Sequence, residues 1–257
     1  MTPILLFGAN GQVGWQLQRA LSPLGTVTAV DHAECDLSDT SAIRTTIAAV
    51  KPRIIVNAAA YTAVDRAESE PELARAINAT APAVMAETAK PLGALLVHYS
   101  TDYVFDGTKP TPYVESDATA PMSVYGTTKR DGEAAVVAAG GRALVLRTSW
   151  VFGARGHNFV KTILRLAHEG RALRIVDDQV GAPTPAALIS DVTGQILAAT
   201  RRGSEIGDAR LYHLAAAKPV SWCGFAREIL RLAAATPGFA ELPAPESVAG
   251  IATADYP

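Results

Sequence analysis

Short apolar runs alternate with stretches of helical spacing along the first 150 residues. Helix-length segments separate the runs, and repeated β-α-β order predicts a parallel sheet covered by helices on both faces. The pattern therefore predicts an α/β fold with a doubly wound sheet. The five strand candidates are ILLF (4–7), TVTAV (26–30), RIIVNAAA (53–60), ALLVHYS (94–100) and ALVLRTSW (143–150).

The segment between the third and fourth runs, residues 71–91, has helical spacing at Leu73, Ile77 and Met85. Pro82 lies in its middle, where we expect the helix to kink or restart.

After Trp150 the pattern becomes less regular. It predicts a helix, a polar loop and a late strand in NFVKTILRLAHEG (158–170), VDDQVGAPTPA (176–186) and LYHLAAA (211–217). We place a boundary near residue 155, with a larger domain over 1–154 and a smaller region, partly interleaved with it, over 155–257.

Composition excludes several classes of protein. The chain has 257 residues, of which 49% are hydrophobic and 19% charged, so it can bury a sizeable core. A net charge of -2 and the absence of basic runs exclude an electrostatic nucleic-acid partner. The N-terminus has neither a cationic leader nor an apolar run long enough for a membrane span. Two distant cysteines, Cys35 and Cys223, predict no disulfide scaffold and favour a reduced, cytoplasmic setting.

A glycine-rich motif, GANGQVG, follows the first predicted strand and opens a helix. Gly8, Gly11 and Gly14 let the backbone turn sharply and approach a pyrophosphate, whose charge is favoured at a helix N-terminus. Asp31 follows the next strand, where a carboxylate can accept hydrogen bonds from the adenine ribose. A glycine turn without a ligand is the alternative. The strand-turn-helix context favours a dinucleotide site.

The stretch SVYGTTK places Tyr125 four residues before Lys129 in the first turns of a predicted helix. Both side chains then leave the same face, so a phenol and an ammonium share one site. An isolated pair of this kind is usually an exposed tyrosine beside a solvated lysine. An adjacent ammonium, helped by the positive ring of an oxidised nicotinamide, favours phenolate and would lower the pKa of Tyr125.

These motifs together resemble the short-chain dehydrogenase/reductase superfamily. The G-x-x-G-x-x-G spacing, NAAA (57–60), YSTDYVF (99–105) and the Tyr125–Lys129 pair occur in the expected order. The resemblance implies a Rossmann-type fold and a catalytic set of Thr101, Tyr125 and Lys129. In that set, a nicotinamide cofactor gives hydride to a carbonyl carbon, Tyr125 protonates the developing alkoxide, and Thr101 hydrogen-bonds the same oxygen.

Within the superfamily, longer strings across nearly the whole chain resemble the dTDP-4-dehydrorhamnose reductase family. They are LLFGANGQVGWQLQ, VNAAAYTAVDRAESEP, HYSTDYVFDG, VYGTTK, LRTSWVFG and DDQVGAPT. The resemblance implies reduction of the 4-keto group of dTDP-4-dehydro-L-rhamnose by NADPH or NADH, with a smaller C-terminal substrate region. It also implies a possible homodimer and a possible Mg²⁺ requirement, although no carboxylate cluster places an ion.

The same resemblance implies two sets of binding residues. The cofactor set adds Gln12, Val13, Asp36, Leu37, Ala60, Tyr61 and Thr62 to Gly8, Gly11, Gly14, Asp31 and Lys129. The set that faces the sugar is Thr101, Asp102, Tyr125 and Trp150. For Trp150 the alternative is a core residue that closes the fifth strand.

Two features separate this sequence from relatives with other chemistry. Sugar-nucleotide dehydratases of the superfamily commonly carry Thr-Asp-Glu, whereas Tyr103 follows Asp102 here, which favours reduction over dehydration. Members of the resembled family continue past the equivalent of TADYP into an arginine-containing strand and a helix, whereas this sequence ends at Pro257. We therefore expect weak binding of the substrate diphosphate.

Two alternative functions stay open at this point. One is a cofactor-binding regulatory subunit without turnover, like the reductase-like subunit of methionine adenosyltransferase. The other is reduction or epimerisation of a different nucleotide sugar. The intact Thr101, Tyr125 and Lys129 argue against the first.

Overall fold

The apolar runs of the first half of the chain form neighbouring strands of one parallel sheet. The computed structural model describes residues 1–201, 210–238 and 241–256. The six strands of the sheet lie in the order β10-β5-β4-β3-β1-β2, and every neighbouring pair is parallel. Their bounds are β1 Pro3–Phe7, β2 Thr26–Val30, β3 Ile54–Asn57, β4 Leu95–Thr101, β5 Ala143–Thr148 and β10 Arg210–His213.

Helices cover both faces of this sheet. The helices of the described chain, of which α7 and α9 belong to a second unit rather than to the sheet, are α1 Gln12–Leu21, α2 Thr40–Val50, α3 Val64–Ala67, α4 Pro71–Arg75, α5 Ala81–Ala89, α6 Val124–Ala138, α7 Phe159–His168, α8 Ala186–Arg201 and α9 Trp222–Ala234. One face carries α1 and α8, which are linked where the Ser190 hydroxyl donates to the Val13 carbonyl. The core on the other face is built from α2, α5 and α6 packed on strand residues such as Leu5 and Val145. The predicted doubly wound, Rossmann-type α/β fold is confirmed.

Strand ends differ from the sequence prediction in two places that bear on function. The third strand ends at Asn57, so Ala58–Ala60 form an irregular segment beyond it. The fifth ends at Thr148, and Trp150 lies outside it with a positive φ of 44°. Trp150 therefore does not close the fifth strand, because its backbone has left the extended conformation, but it does pack half-buried against the core of its own compact unit.

The expected irregularity of the segment 71–91 is a change of helix type, since the backbone stays helical from α4 through α5 instead of restarting. After α4, residues Ala76–Thr80 form a π-helical turn, and α5 begins at Ala81 with Pro82 in its first turn. Proline has no N–H to donate to the preceding helical turn, and the change to π-helical pairing lies directly before it. The π turn carries Asn78, which is 1% exposed.

The helix α6 lies unusually close to this π turn. A Cβ atom on Gly132 would stand 2.1 Å from the Asn78 carbonyl oxygen, so only glycine allows the approach. The Ser123 hydroxyl caps α6 by accepting from the Gly126 N–H at 3.1 Å. The start of α6 is thus fixed both by its cap and by its packing.

A buried ion pair joins α6 to β5. Two nitrogens of Arg147 donate to the two carboxylate oxygens of Glu133 at 2.8 and 2.6 Å, and each side chain is 6% exposed. The guanidinium also lies 5.0 Å from the centre of the Phe105 ring. Bidentate geometry offsets the cost of burying both charges.

The chain divides into two compact units, Met1–Thr148 with Ala187–Leu214, and Ser149–Ala186 with Ala215–Pro257. The residues of β10 return to the first unit because that strand pairs with β5, from Arg210 opposite Leu144 to His213 opposite Arg147. The predicted boundary lies near residue 155, with a second region partly interleaved with the first, whereas the first segment of the first unit ends at Thr148. Pro257, on which the expectation about the chain end rests, lies outside the described residues.

The second unit has a core of its own. Buried residues of α7 and α9, among them Ile163, Phe225 and Leu230, pack together. The segment predicted as a polar loop contains short strands, because parts of it pair with neighbouring segments. The strands of this unit are β6 Val151–Phe152, β7 Arg174–Val176, β8 Val180–Gly181, β9 Thr184–Pro185, β11 Val220–Ser221 and β12 Ala249–Ile251.

None of the helices in the part of the chain that the structure describes combines the length and apolar character needed to cross a lipid bilayer.

Replacing Arg147 by methionine should lower the free energy of unfolding by about 3–5 kcal/mol, because Glu133 would keep a buried charge without its partner. Urea denaturation measures the change. The matched control is Arg44→Met, which removes an exposed pair with Glu87 in the same unit and should cost only about 0.2–1 kcal/mol. Equal costs for the two variants would show that the buried pair does not hold α6 to β5.

Candidate active site

The glycine-rich turn lies where the strand order of the sheet reverses. The chain passes from β1 to β2 on one side and to β3 on the other, which makes the carboxyl ends of β1 and β3 the switch point of the sheet. Gly8 has a φ of +82°, and a Cβ atom there would stand 2.7 Å from the Ala59 nitrogen. Gly14, in the first turn of α1, would bring a Cβ atom to 2.0 Å from the Gly8 carbonyl oxygen. Only glycines allow this packing.

This turn fits a dinucleotide. Gly11 is the N-cap of α1 and gives the helix no side-chain cap, and Gln12 and Val13 are its first two residues. The positive end of the helix dipole and its first backbone N–H groups suit a pyrophosphate, and the glycines leave the room that a side chain would fill.

Asp31 lies directly after β2 and is tied to the glycine turn. The Asn10 amide donates to one of its carboxylate oxygens, and the Ala33 N–H donates to the other at 2.9 Å. The carboxylate is therefore held at the end of β2, where the ribose of a dinucleotide lies in folds of this type. Asp36 and Leu37 follow in the same loop, where Leu37 is buried in the core and Asp36 accepts from the Ser38 N–H.

The segment with Ala60, Tyr61 and Thr62 is anchored to the π turn by Asn78. The Asn78 amide accepts from the Tyr61 N–H at 2.9 Å and donates to the Tyr61 carbonyl at 3.0 Å. Its nitrogen also lies 3.2 Å from the Thr128 hydroxyl oxygen on α6. One buried amide thus fixes the backbone after β3 relative to the helix that carries Tyr125 and Lys129.

Thr101 and Tyr125 are brought together by the end of β4 and the start of α6. Their hydroxyl groups are hydrogen-bonded, and the Thr101 hydroxyl also lies 3.1 Å from an Asp102 carboxylate oxygen. The ring of Tyr125 packs edge to face on that of Tyr103 at 5.5 Å. Tyr125 is 9% exposed, which excludes the solvated alternative for the Y-x-x-x-K pair.

The electrostatics of Tyr125 differ from the prediction. Burial raises the pKa of its phenol, Asp102 raises it further, and only the hydrogen bond with Thr101 acts in the opposite direction. The predicted lowering of this pKa by Lys129 is therefore wrong for the protein's own groups. The reason is that a buried phenolate loses more solvation than its neighbours restore. The result keeps Tyr125 protonated, which is the form that a proton donor needs.

Lys129 is almost fully buried, at 2% exposure, on the same face of α6. Its Nζ donates to the Tyr99 carbonyl oxygen at 2.6 Å and lies 3.5 Å from Nε2 of His98. Burial lowers the pKa of Lys129 to about 8, and the nearby Glu133 carboxylate acts against that shift. The amine is thus held between β4 and α6 and titrates close to neutral pH.

Trp150 belongs to the second compact unit, whereas the other predicted site residues belong to the first. Its ring stacks on Trp222 with centroids 3.4 Å apart and planes 9° from parallel. Gly181 lies against the same ring, since a Cβ atom there would stand 2.3 Å from Cε2 of Trp150.

Three buried polar residues that support this site, each 1% exposed, are absent from the predicted set: Asn57, Asn78 and His98. Asn57 and His98 interrupt the apolar runs IIVN and LLVHYS, and Asn78 lies in a helical segment. A polar side chain inside a buried element needs a partner, so the interruption itself was the available signal. Among the residues that the structure describes, no group of three or more His, Cys, Asp or Glu side chains could hold a metal ion.

Comparison with known proteins gives consistent relatives. All of residues 1–257 match the family described as RmlD substrate binding domain. A dTDP-4-dehydrorhamnose reductase of Burkholderia thailandensis is 48% identical over 256 residues, which cover 99% of this chain and 86% of that protein. A dTDP-4-dehydrorhamnose reductase of Escherichia coli K12 is 49% identical over 227 residues, covering 87% of this chain and 75% of that protein.

A similar solved structure is that of dTDP-4-dehydrorhamnose reductase from Bacillus anthracis in complex with NADP. It superposes with a TM-score of 0.87 at 34% sequence identity and covers 99% of this chain and 85% of that one.

Replacing Lys129 by methionine should stabilise the protein at pH 7 by about 1–3 kcal/mol, because a buried charge is removed. The pKa in the folded state, about 8, lies below the unfolded value of about 10.4. Between these two values the unfolded chain binds more protons, so the stability of the parent rises with pH and the advantage of the variant shrinks.

Urea denaturation at several pH values measures this difference. Lys161→Met, at an exposed position on α7, is the control and should show no such dependence. A stability difference that stays constant across the pH window would contradict the burial of a charged amine.

Proposed function

The chain belongs to the family described as RmlD substrate binding domain, with dTDP-4-dehydrorhamnose reductases among its relatives, and on that premise we propose its function. It is an NAD(P)H-dependent oxidoreductase that reduces the 4-keto group of dTDP-4-dehydro-L-rhamnose to give dTDP-L-rhamnose. The observation that carries the proposal is the hydrogen-bonded pair of Thr101 and Tyr125 beside the buried Lys129.

Tyr125 is the proposed proton donor. Burial keeps its phenol protonated, and the hydroxyl of Thr101 lies within hydrogen-bonding reach, so both groups can address one substrate oxygen. As negative charge develops on that oxygen, the proton of Tyr125 is transferred to it, and the Thr101 hydroxyl turns from the Asp102 carboxylate, to which it donates in this structure, to donate a second hydrogen bond. A bound NADPH or NADH supplies the hydride that reaches the carbonyl carbon.

Lys129 has two proposed roles. Its ammonium, held by the Tyr99 carbonyl, has protons left for the nicotinamide ribose hydroxyls. Together with the positive ring of an oxidised nicotinamide, its charge would favour the phenolate that Tyr125 becomes after it gives up its proton. Because Lys129 loses its own proton near pH 8, reductase turnover should decline as the pH rises through that value.

The cofactor residues are proposed from three segments. They are the glycine turn with Gly8, Gly11, Gln12, Val13 and Gly14, the loop after β2 with Asp31, Asp36 and Leu37, and the anchored segment with Ala60, Tyr61 and Thr62. The close packing of Gly8 on Ala59 and the two bonds between Asn78 and Tyr61 support this assignment.

Substrate contacts are proposed for Thr101, Asp102, Tyr125 and Trp150. Thr101 and Tyr125 act at the keto group, and Asp102 is held beside them by its contact with the Thr101 hydroxyl. For Trp150 the support is the resemblance to the family. Its indole, stacked on Trp222, presents a rigid aromatic surface of the kind that suits a sugar or base.

Three further properties are also proposals. The protein acts in the cytoplasm, as expected for a biosynthetic enzyme that takes a nucleotide-sugar substrate. The resemblance supports a homodimer, which light scattering would detect, and a Mg²⁺ requirement, which activity after chelation would test.

The proposed function is tested with enzymatically made dTDP-4-dehydro-6-deoxy-L-mannose, following the loss of reduced-nicotinamide absorbance. Turnover of this sugar at rates far above those with a small ketone is expected. Cofactor binding without any turnover would instead support a regulatory subunit of the same fold, and equal rates with both carbonyl compounds would refute the assignment of substrate.

Tyr125→Phe should lower turnover by about 10²–10⁴-fold while NADPH affinity is retained, because only the proton donor is removed. Steady-state kinetics and a cofactor titration measure the two effects. Tyr113→Phe is the control, since it removes a hydroxyl that serves Asp106 in an exposed loop. Substantial turnover by the Tyr125 variant would disprove its role.

Asp31→Ala should shift the ratio of kcat/KM values toward NADPH by about tenfold, which corresponds to about 1.4 kcal/mol. The carboxylate can accept from the ribose 2′-hydroxyl of NADH but repels the 2′-phosphate of NADPH. His32 follows Asp31 and can offset that phosphate when protonated, so we expect the parent to use both cofactors. Asp39→Ala, which removes the cap of α2, should leave the ratio unchanged.

A further inference from the structure

A chain of buried polar side chains runs from the end of β3 to Lys129. Nδ2 of Asn57 lies 3.1 Å from Nδ1 of His98, and Nε2 of His98 lies 3.5 Å from Nζ of Lys129. Asn57 and His98 are each 1% exposed. Neither transfers a proton or touches substrate in the proposed reaction, so their burial needs another explanation.

The hydrogen bonds of Asn57 decide which nitrogen of His98 carries the proton. The side-chain oxygen Oδ1 of Asn57 accepts from the Ala59 N–H at 3.2 Å, which leaves the side-chain nitrogen Nδ2 facing His98. An amide nitrogen only donates, so Nδ1 of His98 must be the accepting nitrogen. In neutral His98 the proton is then on Nε2, directed at Lys129.

A donor directed at an ammonium explains the unequal contacts of Lys129. The Tyr99 carbonyl accepts one of its protons at 2.6 Å, whereas the distance to His98 is 3.5 Å. The protons of the amine turn away from His98, toward the carbonyl and toward the side on which the proposed ribose binds. When the amine loses a proton, its lone pair faces the Nε2–H and accepts from it.

We infer that His98 is a positioning residue for Lys129. Asn57 holds the imidazole ring so that its Nε2–H faces the amine. This N–H directs the ammonium protons away from His98 and stabilises the neutral amine. The inference rests on the proposed function only in the role it gives Lys129. The same chain of side chains, through His98 and Asn57, links Lys129 to Ala59, and Gly8 of the glycine turn packs against Ala59.

The other charges near Lys129 do not replace this effect. Glu133 lies one turn further along α6 and favours the ammonium, but its carboxylate is paired with Arg147 of β5. From β4 the group that faces the amine is His98, and burial holds the pKa of His98 well below its ordinary value. His98 is therefore neutral over the range in which Lys129 titrates.

Asn57→Asp tests the direction of the effect. A carboxylate at this position accepts from both the Ala59 N–H and Nδ1–H of His98, so the proton moves to Nδ1 and the Nε2 lone pair faces the ammonium. The midpoint at which Lys129 loses its proton should rise by about one pH unit, a tenfold change in proton affinity. An unchanged or lower midpoint would overturn the inference.

A double-mutant cycle separates this relay from the new charge of the aspartate. His98→Asn removes Nε2, and in that background Asn57→Asp should lose more than half of its shift. A shift of full size without the imidazole would show that the carboxylate acts directly and that His98 positions nothing. If His98→Asn does not fold, His98→Gln replaces it. This variant keeps an amide near the Nε2 position, so Asn57→Asp should retain part of its shift of the Lys129 midpoint in that background.

The midpoint is measured by NMR titration of ¹⁵N-lysine-labelled protein, with Lys129→Met assigning the signal. The descending limb of kcat/KM against pH should move in parallel. Thr193→Val is the control, because it removes a fully buried hydroxyl that bonds Tyr99 on the other face of β4, and neither readout should shift.

The two proposals fail separately in this design. A parent protein that does not reduce the keto sugar contradicts the proposed function, while the NMR titration still decides the role of His98. A parent that reduces the sugar, with a Lys129 titration insensitive to both substitutions, rejects the inference alone.

Discussion

Burial of the Lys129 amine between β4 and α6 is the constraint on which the rest of the site depends. An ammonium removed from water needs acceptors at fixed positions, and the closest is the carbonyl of Tyr99, at 2.6 Å. Because that carbonyl belongs to a central strand, the lysine can reach it only if α6 lies close to the sheet. The positions of Tyr125 and of the Thr101 hydroxyl follow from the same approach of helix and strand.

Small and polar side chains make that approach possible. Gly132 lets α6 touch the π turn, and Asn78 in that turn holds the backbone of Tyr61. One packing contact therefore positions both the helix that carries the proposed chemistry and the segment proposed to line the cofactor.

The electrostatics divide into a structural and a functional part. The pair of Glu133 and Arg147 is closed on itself by two hydrogen bonds and joins α6 to β5. Tyr125 and Lys129 have fewer partners, so burial shifts their pKa values in opposite directions, up for the phenol and down for the amine. Both shifts favour the neutral form of each group and leave the proton on the phenol ready for transfer.

The sequence by itself determined the order of strands and helices, the glycine turn, and the spacing that puts Tyr125 and Lys129 on one helical face. These features are local. The side-chain periods of strands and helices, two and 3.6 residues, and the backbone conformations open to glycine do not depend on distant segments of the chain. The family resemblance added the pairing of Thr101 with Tyr125, which lie at the end of β4 and near the start of α6.

Only the tertiary structure decided what surrounds these groups. The return of residues 187–214 to the first unit, the π turn at Asn78 and the place of Trp150 outside β5 all depend on contacts between segments far apart in sequence. The same holds for the pKa of Tyr125, which sequence reasoning assigned to the nearby lysine. Burial decides it instead, and burial is a property of everything packed around a residue rather than of its neighbours in the chain.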